Sequence, residues 1–223
     1  MPINGRQMYE VNFRRHLPGD KQAPILDIGC GLGEFLEYLE EDGHSNLTGI
    51  EIDAIHAETT RQRTSAQIIT TTDLEDCLRS LPQPFDLITL KSVISHFPRN
   101  KVLDYLRAMR DCLTINGRLV VETFNASRWT GGYVLYNDIT HQWAYTEYSL
   151  REMLETAGLR VVEITGEKIP LRSPKRVAGC ALQQIWIGCL KLIYFAERGI
   201  VRNPRILSKY VIAVCERGPS ISK

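Results

Sequence analysis

The chain has 223 residues, 43% of them hydrophobic and 24% charged, with a net charge of +1. That length and composition suit one decorated globular domain with a sizeable core. The charge balance supplies no global attraction to nucleic acid, so no nucleic-acid partner is expected. The opening MPINGRQMYEVNFRRHLPGD lacks the apolar core of an export signal. Six scattered cysteines with no CxxC pair read as reduced thiols rather than zinc ligands. Together these features lead us to expect a cytoplasmic protein.

From residue 24 onwards, short β-rich runs alternate with helical stretches. Ile25–Ile28 reads as a strand stopped by glycines, and residues 33–41 as a helix with Phe35, Leu36 and Leu39 on one face. Strands follow over 47–52, 67–70 and 85–90. Residues 101–113 are expected to form an amphipathic helix through Val102, Leu103, Leu106, Met109 and Leu113. Asn116-Gly117 then reads as a turn into a strand over 118–123. A helix over 148–156 is closed by Gly158, and strands over 159–164 and 206–215 follow. This alternation predicts an α/β fold with a mainly parallel sheet covered on both faces.

The densest motif is Ile25-Leu26-Asp27-Ile28-Gly29-Cys30-Gly31-Leu32-Gly33-Glu34-Phe35, a strand running into glycines and then a helix. Glycines there allow a sharp turn and close approach of the backbone to a ligand. A dinucleotide site would set a pyrophosphate at the helix N-terminus, where the Glu34 carboxylate opposes it; a nucleoside without phosphates meets no such conflict. Asp27 sits in an apolar strand, so it needs backbone, water or cationic-ligand partners. Glu51 follows the glycines by about 20 residues, where an acid grips a ribose diol in folds of this kind.

The ordered series LDIGCGLG, LTGIEID, TTDLED, PFDLITLKSVISHF and NGRLVVETFN resembles the motifs of class I S-adenosylmethionine-dependent methyltransferases, across roughly residues 24–165. The resemblance implies a doubly wound, mainly parallel seven-stranded sheet whose last strand, 206–215, is antiparallel. It implies S-adenosyl-L-methionine as cofactor. Asp27 and the loop Gly29, Cys30, Gly31 and Gly33 would face its methionine part, and Glu51, with Ile52 beside it, the ribose. Asp73 and Leu74 would lie by the adenine. The stretch Leu90–Ser92, including Lys91, would line the cofactor at the end of the fourth strand.

Methyl transfer to a hydroxyl requires loss of a proton, and a positioned base is worth about 10²–10⁴ in rate. The candidates are His96, His141, Asp138 and Glu122. His141 is the first choice, with Asp138 orienting it or binding substrate. The pattern D-x-T-H (Asp138–His141) followed by T-x-x-S-L resembles methyltransferases of bacterial cell-surface polysaccharide biosynthesis, and so points to a sugar or glycan-intermediate hydroxyl. Rival readings are a small-molecule enzyme acting on a carboxylate, phenol or quinone-type acceptor, and an inactive cofactor-binding partner. Asp138 and His141 alone are too few to assign a metal site. Trp129, Tyr133, Tyr136, Trp143 and Tyr145 are candidates to stack on a ring. His16, His44 and His56 read as solvated.

The expected organisation is one methyltransferase domain over 1–218. An N-terminal helical lid over 1–20 carries Met8, Tyr9 and Phe13, a helical insertion fills 170–203, and 219–223 form a loose tail. Residues 177–196 are nearly continuous apolar sequence of about the length of a membrane span. A span is rejected because 206–215 must return to the sheet. A contact with substrate or a second subunit is expected, as in a homodimer. The alternative is a peripheral contact with the inner membrane surface, helped by Lys168, Arg172, Lys175 and Arg176 and anchored by Trp186, Ile187, Tyr194 and Phe195.

Overall fold

The computed structural model describes residues 5–170, 174–200 and 203–218. The expected tail over 219–223 and Arg172 lie outside them. Strand β1 (Ile25–Ile28) lies between β2 (Leu47–Glu51) and β4 (Phe85–Lys91), parallel to both. Strand β3 (Gln67–Thr70) pairs with β2, and β5 (Leu113–Phe124) with β4, again in parallel. Strand β7 (Tyr210–Arg217) runs antiparallel between β5 and β6 (Leu159–Gly166). The sheet order is β3-β2-β1-β4-β5-β7-β6, the expected doubly wound seven-stranded architecture. The direction of winding reverses between β1 and β4, and a crevice opens at their carboxyl ends, where such folds hold ligands.

Side chains alternate between two apolar layers. Leu26, Ile28, Ile88, Leu90, Leu119 and Val121 point to one face, with α4 (Leu74–Ser80), α5 (Val102–Asp111) and α7 (Glu147–Thr156). Ile25, Leu87, Val120, Ile212 and Val214 point to the other and meet Phe35, Leu36 and Leu39 of α2 (Glu34–Glu41). The 3.6-residue period places Val102, Leu106 and Met109 of α5 in the core as expected. Helix α3 (Ala54–Arg63) is started by Asp53, whose carboxylate accepts the Ile55 and His56 amides at 2.8 and 2.9 Å.

Two boundaries differ from expectation. Helix α5 stops at Asp111, and β5 runs unbroken from Leu113 through Asn116-Gly117, with a register shift against β4 between Phe85 and Leu87. Gly117 serves close approach rather than a turn, because a Cβ there would stand 2.6 Å from the Phe85 carbonyl oxygen. Strand β7 begins at Tyr210, not 206. The carbonyls of Ile206 and Ser208 are instead held by the Asn125 side-chain amide at 2.8 and 3.1 Å.

Helix α1 (Gly5–Asn12) packs on α2. Tyr9 stands edge-on to Phe35 at 5.0 Å, and the buried Phe13 lies 5.4 Å from the same ring. The histidine expectations are partly wrong. His16 and His44 are buried, and burial lowers the His16 pKa to about 4; His56 is exposed as expected. The late helix, α8 (Pro174–Arg198), is long and apolar enough to cross a membrane by length and composition. Leu190 is its only buried residue. Val177, Leu182, Ile185, Leu192 and Phe195 are exposed, so the helix is not a core element.

Candidate active site

The turn after β1 is built on left-handed backbone at Gly29, Gly31 and Gly33 (φ +68°, +56° and +80°), which glycine adopts at least cost. A Cβ at Gly29 would lie 2.2 Å from Val93 Cγ2, and one at Gly33 would lie 2.7 Å from Thr60 Cγ2. At Gly31 a Cβ would meet nothing within 4 Å, so this glycine faces open space. That is the requirement of a loop that lets a ligand close on its backbone.

Glu51 ends β2 beside this loop, nearly buried. Its Oε2 accepts the Gly31 amide at 2.7 Å, and its Oε1 accepts the amides of Ile52 and Asp53 at 2.9 and 3.0 Å. Three donors fix the carboxylate at the mouth of the crevice, with exposed Ile52 next to it. Asp27 is fully buried, and two side chains of β4 serve it. Thr89 Oγ1 donates at 2.6 Å, and Lys91 Nζ reaches the two carboxylate oxygens at 2.9 and 3.0 Å. Lys91 in turn lies over the Phe35 ring, 4.1 Å from its centroid. Lys91 therefore ties β1, β4 and α2 together at the point where the crevice opens.

Asp73 starts α4 by accepting the Asp76 amide at 3.1 Å, a capping role that the sequence reading did not assign, and Leu74 packs against the core. Cys30 is buried, its pKa pushed up to about 12 by that burial, so it is a packing group and no nucleophile. Ser92, just past β4, has φ +57°, the one non-glycine residue in the left-handed region among those described. Such strain collects at functional sites. These groups fit the cofactor the sequence implies: an acid for a diol, a glycine face open to a ligand, and no phosphate cradle opposite Glu34.

On the acceptor side, His96 follows β4, while Asp138 and His141 come from the segment after α6 (Gly131–Tyr136). The fold brings all three together, with one ligand atom from each within 4.8 Å of the others. The His96 and His141 rings are 4.7 Å apart between centroids. The Gln142 amide donates to the Ser95 carbonyl at 2.7 Å, fastening the two loops. Asp138 does not orient His141 as expected. Its Oδ1 accepts the Thr140 amide and hydroxyl at 2.8 and 2.7 Å, while His141 Nδ1 lies 3.1 Å from the Val134 carbonyl. The Thr140 bonds hold the Asp138 pKa below the usual carboxylate range. Burial, then His141, lowers that of His96.

A cavity of about 740 Å³, lined by none of the three cluster residues, is walled by Met8 and Tyr9 of α1, Trp186 and Leu190 of α8, and Trp129 and Tyr210. Tyr210 stacks on Phe124 at 5.0 Å, and Phe124 meets the His141 ring edge-on at 5.2 Å, which links cavity and cluster. Glu122 and Glu167 also line it, with Arg128 and Lys209. Burial pushes the Glu122 pKa up to about 7, against the pull of Lys91 and with a smaller push from Glu167. Of the expected ring-stacking residues, Trp129 lines the cavity, Tyr145 is core, Trp143 stacks on Tyr145, and Tyr133 and Tyr136 are exposed.

Comparison with known proteins agrees with this geometry. A family model described as a methyltransferase domain matches residues 7–164. The tRNA U34 carboxymethyltransferase of Desulfotalea psychrophila is 27% identical over 115 residues, which are 50% of this chain and 35% of that enzyme. An S-adenosylmethionine-dependent methyltransferase of Archaeoglobus fulgidus superposes with a TM-score of 0.68 at 20% identity, covering 95% of this chain and 94% of that one. One from Mesorhizobium loti gives 0.62 at 16% identity, covering 96% and 100%. The chain belongs to the methyltransferase-domain family.

Proposed function

We propose that this enzyme methylates an oxygen, a hydroxyl of a sugar or glycan intermediate, and that the hydroxyl gives up its proton at the His96–Asp138–His141 cluster, where His141 is central. Bound S-adenosyl-L-methionine supplies a sulfonium methyl group for in-line displacement. The chain's own residues align the acceptor and keep water out. The observation that carries the reading is the pair of imidazoles brought together at the carboxyl ends of β4 and β5, 4.7 Å apart between centroids. A carboxylate acceptor is already deprotonated and has no need of them. Trp129, Trp186 and Tyr210 supply ring faces for a sugar, and Glu122, Glu167 and Arg128 supply hydrogen-bonding partners. The tRNA substrate of the Desulfotalea psychrophila relative is not carried over, because the alignment spans about a third of that enzyme.

The test is transfer of isotope-labelled methyl from the cofactor to a panel of glycan intermediates and small carboxylates. The expected product is a methyl ether, which survives mild alkali. A label released by alkali would mark an ester and overturn the hydroxyl reading.

We also propose that α8 is a substrate-side element. Gly179, Gln183, Trp186 and Leu190 line the cavity, while Val177, Ile185, Leu192 and Phe195 are exposed. A long apolar surface of this kind usually marks an interaction site. The variant Trp186→Glu is expected to weaken acceptor binding with cofactor affinity unchanged. Flotation of the wild-type protein with neutral liposomes would contradict a substrate-side role and favour bulk lipid.

A further inference from the structure

We propose that His96, Asp138 and His141 bind a divalent transition-metal cation, and that the acceptor hydroxyl completes its coordination. This rests on the reading that the acceptor loses its proton at this cluster, and states how. Hydrogen bonds at Nδ1 orient both rings. The Val134 carbonyl can only accept, so His141 Nδ1 donates to it at 3.1 Å, which leaves Nε2 as the ring's outward ligand atom. The Thr140 hydroxyl has one proton, and it donates this in a hydrogen bond to the Asp138 carboxylate at 2.7 Å. Thr140 Oγ1 therefore accepts from His96 Nδ1 at 2.9 Å, which leaves His96 Nε2 as its outward ligand atom.

Each ring thus has its Nδ1 engaged and its Nε2 left as the remaining ligand atom, with the Asp138 carboxylate close by. Only Oδ1 of Asp138 enters the bonds to Thr140; Oδ2 is in none of the hydrogen bonds of the described residues. An Nδ1–H held by a carbonyl or a hydroxyl is how a protein orients a metal-ligating histidine. Two histidines and one carboxylate, with ligand atoms within 4.8 Å of one another, suit a mid-series divalent ion and leave positions open for oxygen ligands.

The ligands are set firmly. The amides of Gln142 and Trp143 donate to the Ser95 carbonyl at 2.7 and 3.2 Å, next in sequence to His96, and the His141 ring rests on Phe124. The chemistry balances without redox change. The coordinated hydroxyl releases its proton to water more readily, as metal-bound water does. An oxygen electron pair forms the new O–CH₃ bond, and the pair of the S–CH₃ bond stays on sulfur, leaving a neutral thioether.

The test uses the full chain, stripped by chelator and titrated with Mn²⁺ followed by electron paramagnetic resonance, and with Co²⁺ followed by visible absorption. The wild type is expected to bind one ion per chain. Asp138→Asn and His141→Gln should weaken that binding, and Thr140→Val, which frees His96 from its orienting partner, should weaken it by about 10–100-fold. Thermal melts establish that each variant is folded. A wild-type protein that binds neither ion, or Asp138→Asn binding as well as wild type, would overturn the proposal. Activity that ignores chelator yet falls in His141→Ala would overturn the cation while leaving the cluster as the site of proton loss. Activity unaffected by both would remove the cluster from the reaction altogether.

Discussion

His141→Ala is expected to lower turnover by about 10²–10⁴, with affinity for S-adenosylmethionine unchanged. The imidazole sits on the acceptor side, against Phe124 and His96, and makes no contact with the glycine loop or Glu51 among its recorded bonds. Its loss removes help to the departing proton but leaves the cofactor cradle intact. A single-turnover assay beside a direct binding measurement separates the two. Loss of cofactor affinity in proportion to turnover would place His141 in the cradle, and full activity would point to an acceptor that needs no deprotonation.

Lys91→Met should destabilise the folded protein by about 3–5 kcal/mol, because it leaves the Asp27 carboxylate buried without its cation. The Asp27 side chain is fully inaccessible, and Thr89 alone would remain to serve it. Removing both charges in Asp27→Leu/Lys91→Met should recover most of that stability, since a buried ion pair is worth little against well-packed apolar groups. The double variant should still fail to bind cofactor, because the crevice then lacks its charged floor. Chemical denaturation checks the stability. A single variant as stable as wild type would show that Lys91 does not carry the pair.

How much of this is legible in the sequence depends on the range of the interaction. Strands β1, β2 and β4 stand out as short apolar runs because both faces of the parallel sheet are buried there. The glycine loop stands out because three left-handed positions need three glycines within five residues. By contrast, Asn116-Gly117 looks like a turn, yet Gly117 is there to clear the Phe85 carbonyl, a contact made across the sheet. The true partner of Asp27 emerges only with the register: Asp27 pairs with Thr89, which puts Lys91 within reach. His16 and His44 read as solvated because burial of a lone polar residue leaves no periodic trace. His96, Asp138 and His141 are each legible as candidate bases, but not that they meet. His96 and His141 lie in separate loops, and the backbone bond from Gln142 to Ser95 is what brings them together. Asp73 kept its acid but gained a capping role, visible only as Asp followed three residues later by its acceptor's donor, Asp76.

The central claim is that the glycine loop and Glu51 form the S-adenosylmethionine site, and calorimetric titration of the cofactor into wild type, Glu51→Ala and Gly31→Val tests it most directly. Wild type should bind. Glu51→Ala should bind about 10–10²-fold more weakly, since hydrogen bonds to a charged group are worth about 1.5–3 kcal/mol. Gly31→Val forces a β-branched residue to φ +56° and fills the open face of the loop, so it should bind more weakly still. Unchanged affinity in both variants, or wild-type binding of a dinucleotide in place of S-adenosylmethionine, would contradict the account.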